Sequence, residues 1–138
     1  MPEKTNSNRF REKKIEIGVF GLGEIATNQH IPIINKSQIF ELVATISQSR
    51  RLPDVPSFSS IENMKQSNVR PDALALCMPP EPRFKFAMDA IREGYHLLLE
   101  KPPCLTTDEC DLLIETAHEL DVTIFASWHS KFGAMVKN

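Results

Sequence analysis

The segment Gly21-Leu22-Gly23-Glu24-Ile25-Ala26 constrains this chain more than any other feature, because an apolar run precedes it and a helical pattern follows it. The run, Ile15 to Phe20, ends at glycine and reads as a buried strand. A strand that turns into a helix through G-x-G-x-x-G/A is the setting in which that motif carries chemical meaning. The first glycine permits the tight turn, Gly23 lets a pyrophosphate approach the backbone, and Ala26 is small enough for helix and strand to pack closely. The first amides of the helix lack intrahelical acceptors and favour an anion. Gly21, Gly23, Glu24, Ile25 and Ala26 are therefore candidate contacts to a dinucleotide. The alternative is a plain strand–helix turn that uses the same glycines without a ligand.

The rest of the chain repeats the strand–helix alternation. Pro32 lacks a backbone donor and is expected to break or kink the motif helix early. Phe40 to Ile46 is a second strand, followed by a loop rich in Arg, Pro and Ser from Ser47 to Phe58. Ser59 with Glu62 forms a capping-box pattern for a short helix over Ile61 and Met64, reaching Ser67. Ala73 to Cys77 is a third strand, closed by Pro79, Pro80 and Pro82. Phe84, Ala87, Met88 and Ile91 fall at i, i+3, i+4 and i+7 of a helix capped by Gly94. His96 to Leu99 is a fourth strand. Thr106 with Glu109 caps another helix, with Cys110, Leu113, Ile114, Ala117 and Leu120 expected on its inner face. Val122 to Ala126 is a fifth strand. This pattern predicts an α/β fold: a doubly wound parallel sheet with helices on both faces and strand order 3-2-1-4-5.

Composition narrows the function classes. A chain of 138 residues fits one domain, and 41% apolar with 25% charged residues is ordinary for a globular one. A net charge of −2 gives no reason to expect nucleic acid or an anionic membrane as partner. No run approaches the ~18 apolar residues of a membrane span. Three cysteines without a C-x-x-C pair point to a reduced, cytoplasmic compartment. Residues 1 to 14 are polar and basic and read as a flexible arm ahead of a domain over 15–127. Metal-ligand spacing, a G-x-S-x-G elbow and the Gly-Lys-Ser/Thr ending of an NTPase loop are all absent from the sequence.

The choice of dinucleotide turns on the exit of the second strand. An NAD site places a carboxylate there, about 20 residues after the glycines. That count lands on Glu41, but Glu41 starts the strand, whereas ligands bind beyond the carboxyl ends. The exit itself reads Ser47-Gln48-Ser49-Arg50-Arg51. Two hydroxyls and two guanidinium groups suit a 2′-phosphate, so NADP is favoured over NAD. Met78, Pro79 and Pro80, after the third strand, and Glu100 and Lys101, after the fourth, share this edge and complete the candidate cofactor contacts. A lysine there can bind a substrate hydroxyl and stabilise developing negative charge.

Together these residues resemble the Gfo/Idh/MocA oxidoreductase family, through the glycine turn and Glu100-Lys101-Pro102 in the right order on the right elements. Within that family the sequence is similar to the D-galactose and L-arabinose 1-dehydrogenases. The similarity is carried by Asn28-Gln29-His30-Ile31-Pro32, Pro79-Pro80-Glu81-Pro82-Arg83-Phe84, Leu99-Glu100-Lys101-Pro102-Pro103 and Ser127-Trp128-His129-Ser130. Many relatives carry an asparagine and a histidine after the third strand; Pro80 and Arg83 stand near those places here, a departure the aldose group shares. The resemblance implies a Rossmann NAD(P)-binding domain, Lys101 as the active-site lysine and His129 as a substrate-site residue. It implies hydride transfer from C1 of a small-molecule aldose to the nicotinamide, giving a lactone. The family's second, C-terminal α/β domain is not in this sequence, and 128–138 reads as the start of a connection to it. The face that domain covers would be open, which predicts self-association. A dinucleotide-binding sensor without turnover is the alternative the family offers. His30 follows the motif helix and could approach the crevice, but packing on the helix is the role expected of it.

Overall fold

The computed structural model describes residues 13–127. The start of the expected arm and all of 128–138, with His129, lie outside the described residues.

Strand β1 (Ile15–Phe20) enters the glycine turn, and a π-helical turn (Ala26–His30) then runs straight into α1 (Ile31–Lys36). Pro32 explains the wide turn. A proline cannot donate to the preceding turn, and here the Ile31 N–H bonds five residues back, to the Ala26 carbonyl. The proline then sits at the start of α1, where no donor is required. The expected break is thus absorbed as one expanded turn.

Next come β2 (Phe40–Ile46), a two-residue strand β3 (Ser57–Phe58), α2 (Ile61–Gln66) and β4 (Ala73–Leu76). The α2 cap is Ser60, whose hydroxyl accepts from the Asn63 N–H at 3.1 Å. The Ser59–Glu62 pairing expected from sequence is therefore one residue early. Then come α3 (Pro80–Arg92), β5 (His96–Leu99), α4 (Thr107–Glu119) and β6 (Ile124–Ala126). Helix α3 ends in a Schellman motif: the Gly94 N–H bonds Ile91 O at 3.0 Å and the Tyr95 N–H bonds Ala90 O at 3.1 Å, with Gly94 at φ +89°. Thr106 caps α4 by accepting from the Glu109 N–H at 3.2 Å.

All six strands are parallel, in the order β3-β2-β1-β4-β5-β6. The sequence placed the Ala73 strand beyond β2. It lies instead on the other side of β1, pairing Ile17 with Ala73 through Phe20 with Leu76. The place beside β2 belongs to β3, which the sequence read as loop. Thr45 pairs with Ser57 there, their hydroxyls 2.9 Å apart, and the Ser47 N–H bonds Phe58 O at 2.9 Å.

Helices cover both faces. On one, Leu22, Ala26, Ile31 and Ile34 pack on Ile17, Val19, Ala75 and Cys77. On the other, α2, α3 and α4 bring Met64, Ala87, Met88, Ile91, Leu113 and Ala117 onto Ala44, Ile46, Leu74, Leu76, Leu97 and Leu99. This is the doubly wound Rossmann arrangement. Ile114 and Leu120, expected on the inner face of α4, are exposed, whereas Leu113 and Ala117 are buried and Cys110 is partly buried against the same core.

Candidate functional site

A parallel sheet brings the carboxyl ends of all its strands to one edge, so each strand exit adds residues to one crevice. Phe20 leads to Gly21, Ile46 to Ser47, Leu76 to Cys77 and Leu99 to Glu100.

Gly21 is where the first and third of these exits meet. Its φ is +94°, and a Cβ there would lie 2.8 Å from the Met78 amide nitrogen. Its N–H donates to Ile46 O at 2.9 Å, tying in β2 as well. Gly23 differs: it is exposed, and a Cβ would meet nothing within 4 Å. The protein's own packing does not require glycine there. Ala26 is fully buried, as its packing role requires. Thr27 is the first amide to bond back along the helix, to Gly23 O at 3.1 Å, and its hydroxyl donates to the same oxygen at 3.0 Å. The amides before Thr27 make up the first turn of the helix, and Glu24 is exposed while Ile25 is half-buried.

The β2 exit separates the two arginines. Arg50 reaches over the glycine turn and donates to Leu22 O at 2.6 Å, while its own N–H bonds the Ser47 hydroxyl at 3.2 Å. Arg51 turns back on its own loop, donating to Ser47 O at 2.6 Å and Arg50 O at 3.0 Å. Ser49 is exposed at the same exit. Glu41 pairs in register with Glu16, near the amino ends of β2 and β1 and away from the crevice.

At the β4 and β5 exits the polar groups are buried. Arg83 on α3 is only 2% exposed. Its guanidinium donates to the carbonyls of Met78, Glu100 and Pro102, joining both exits. Burial lowers the Arg83 pKa, and the nearby Glu100 carboxylate works against that shift. Glu100 is buried, with Oε1 2.5 Å from His30 Nε2 and Oε2 accepting from the Lys101 N–H at 3.1 Å. Burial would raise its pKa, but the hydrogen bonds from His30 and Lys101 outweigh it and hold the carboxyl below the usual range. Lys101 itself is exposed and joined to Pro102 by a cis peptide bond. Met78 is buried, Pro79 exposed, and Pro80 opens α3.

His30, for which helix packing was the expected role and approach to the crevice the alternative, reaches Glu100 at the β5 exit. Arg83 was missed as a site residue. Its signal was helical phase: positions 83, 87, 90 and 91 share one stripe, so a guanidinium had to enter the core with Ala87, Ala90 and Ile91. Cys77 and Cys104 are both buried. Burial pushes both thiols up to about 12, which disfavours the nucleophilic thiolate.

Comparison with known proteins agrees with this geometry. Residues 15–127 match the Gfo/Idh/MocA family model, described as an oxidoreductase family with an NAD-binding Rossmann fold. The chain is 39% identical over 101 residues to galactose 1-dehydrogenase of Pseudomonas fluorescens, covering 73% of this chain and 33% of that protein. It is 25% identical over 125 residues to D-glucoside 3-dehydrogenase of Escherichia coli, covering 86% of this chain and 36% of that protein. A crystal structure of D-galactose-1-dehydrogenase from Rhizobium etli superposes with a TM-score of 0.85 at 38% identity, covering 91% of this chain and 41% of that one. The chain therefore spans about a third of the length of the curated relatives it matches. A nicotinamide dinucleotide is the cofactor this domain type holds, and the chain belongs to the Gfo/Idh/MocA oxidoreductase family as its NAD-binding Rossmann domain.

Proposed function

We propose that this chain is the cofactor-binding part of an aldose 1-dehydrogenase that prefers NADP. The observation that carries the cofactor choice is Arg50, held over the glycine turn at a strand exit without a carboxylate. A fixed guanidinium beside the adenosine end suits a 2′-phosphate, which it can bind in bidentate fashion. The residues present fit a dinucleotide. Gly23 leaves open space for phosphates, the helix amides ahead of Thr27 lack intrahelical acceptors, and Lys101 is exposed at the β5 exit for the nicotinamide end.

When bound, the dinucleotide supplies the hydride acceptor, at C4 of its nicotinamide. The protein must hold the sugar C1 near that position and take the C1 hydroxyl proton as the carbon–oxygen double bond of the lactone forms. Lys101 binds and polarises that hydroxyl in this reading. His129 binds sugar or relays the proton, although it lies outside the described residues. D-galactose and L-arabinose are the substrates of choice, by similarity to relatives whose names carry galactose.

The domain boundaries follow from the same reading: an arm over 1–14, this domain over 15–127, and over 128–138 a connection to a second α/β domain that supplies most sugar contacts. The three free thiols accord with a reduced, cytoplasmic setting. Beside α1 an open groove of about 510 Å³ includes Ile15, Ile33 and Phe125, all exposed. A second copy of this chain would cover it, so elution volume should depend on concentration.

The direct test is Lys101→Ala in a protein that includes both domains. Turnover of aldose with NADP should vanish while NADP affinity persists. Survival of turnover would remove Lys101 from the chemistry. Dinucleotide binding by the intact protein with no turnover of any aldose would favour the sensor reading.

A further inference from the structure

Burying a carboxylate is costly unless its oxygens are filled. Glu100 meets that demand with a side chain from a distant segment and with the next amide of its own chain. One oxygen takes His30 Nε2, seventy residues away, and the other takes the Lys101 N–H. The main chain on both sides is held separately, by Arg83 on the carbonyls of Glu100 and Pro102. The Glu100–Lys101 peptide is therefore held from both sides, its carbonyl by Arg83 and its N–H by the carboxylate, and that N–H belongs to Lys101.

His30 is where it is because of the π turn. That turn starts at Ala26, the last residue of the glycine motif, and ends at His30. A π turn carries one residue more than an α turn, so in a regular helix His30 would sit about 100° further round the axis. The phosphate turn, the expanded turn, His30, Glu100 and Lys101 thus form one continuous mechanical line.

We propose that His30 is a positioning residue for Lys101. It holds the Glu100 carboxylate so that Oε2 fixes the Lys101 amide, and it thereby couples the dinucleotide-binding turn to the active-site lysine. The functional meaning of this coupling rests on the reading of Lys101 given above. The coupling itself is read without ligand or turnover.

The experiment is amide hydrogen exchange by NMR on this chain, comparing wild type with His30→Leu, which keeps bulk but donates nothing, and His30→Gln, whose amide can still reach the carboxylate. The Lys101 amide should exchange about tenfold faster in His30→Leu, as expected for loss of a charged hydrogen bond, and should return towards wild type in His30→Gln. The β5 amides of Leu97 and Leu99 should be unchanged. An unchanged Lys101 amide, or parallel loosening of Lys101 and β5, would overturn the proposal. If His30→Leu does not fold, the Glu100→Gln variant gives the same reading, because an amide side chain accepts more weakly than a carboxylate. Binding then separates the two claims. His30→Leu should weaken NADPH several-fold but leave 2′-phospho-ADP-ribose, which lacks the nicotinamide, unaffected. Equal loss of both would overturn the coupling. Binding of neither by wild type would sink the dinucleotide reading, while the exchange data would still decide the role of His30.

Discussion

Arg50 and Leu22 are 28 residues apart in sequence, yet the Arg50 guanidinium lies 2.6 Å from the Leu22 carbonyl inside the glycine turn. The neighbouring Arg51 spends its guanidinium on its own loop. The two arginines should therefore behave differently. Arg50→Ala should weaken NADPH by roughly 10- to 100-fold, the range for one charged hydrogen bond, and weaken NADH much less. Arg51→Ala should change the NADPH-to-NADH ratio by less than Arg50→Ala does. Fluorescence titration of both variants with both nucleotides checks this, and equal effects would return the choice of cofactor to an open question.

Gly21 is constrained by the fold itself. Substituting alanine forces a positive φ and brings a methyl group 2.8 Å from the Met78 nitrogen. The backbone conformation alone costs about 1–3 kcal/mol. Gly21→Ala should lower the midpoint of chemical denaturation by at least that equivalent, with or without nucleotide. A variant as stable as wild type would mean that the turn relaxes freely.

Glu100 gives the molecule an acid-sensitive contribution. Its folded-state pKa lies below the ordinary value of 4.5, since hydrogen bonds from His30 and Lys101 overcome the effect of burial. Protonation therefore favours the unfolded chain. The stability Glu100 adds is complete above about pH 4.5 and is lost as pH falls through its folded value. The Tm advantage of wild type over Glu100→Gln should be greatest near neutral pH and shrink on acidification. A pH-independent gap would place the contribution in packing instead.

Thiol labelling reads the burial of the two core faces. Cys77 and Cys104 are buried, with pKa values pushed to about 12, whereas Cys110 is half-buried. Iodoacetamide at neutral pH should modify Cys110 first. The other two should react only when the domain unfolds, with mass spectrometry locating each adduct.

The long periodic elements were legible in the sequence because each repeats its pattern several times. Residues 40–46 and 96–99 emerged as strands with the bounds expected, and the α3 stripe predicted its own buried face. Ser57–Phe58 was not legible: two residues cannot show alternation, and what makes them a strand is their pairing with Thr45 and Ile46. Missing that strand displaced the Ala73 strand to the wrong side of the sheet. The glycine turn and the Lys101 exit could be placed at one edge because parallel topology alone dictates it. The His30–Glu100 contact could not, since it depends on a π turn that only the hydrogen-bond pattern around Pro32 reveals. Arg83 was readable by phase but reads as a polar intruder until three carbonyls are found around it.

Gly23 offers the most direct test of dinucleotide binding at this turn, because a methyl group there meets nothing in the protein. The measurement is a titration of wild type and Gly23→Ala with NADPH and NADH, followed by nicotinamide fluorescence and by Tm. Wild type should bind saturably with NADPH preferred, gaining about 2.7 kcal/mol at 100 times its Kd. Gly23→Ala should keep the unliganded Tm and lose most of the affinity. Wild type without saturable binding, or a Gly23→Ala variant that binds as well as wild type, would contradict the account.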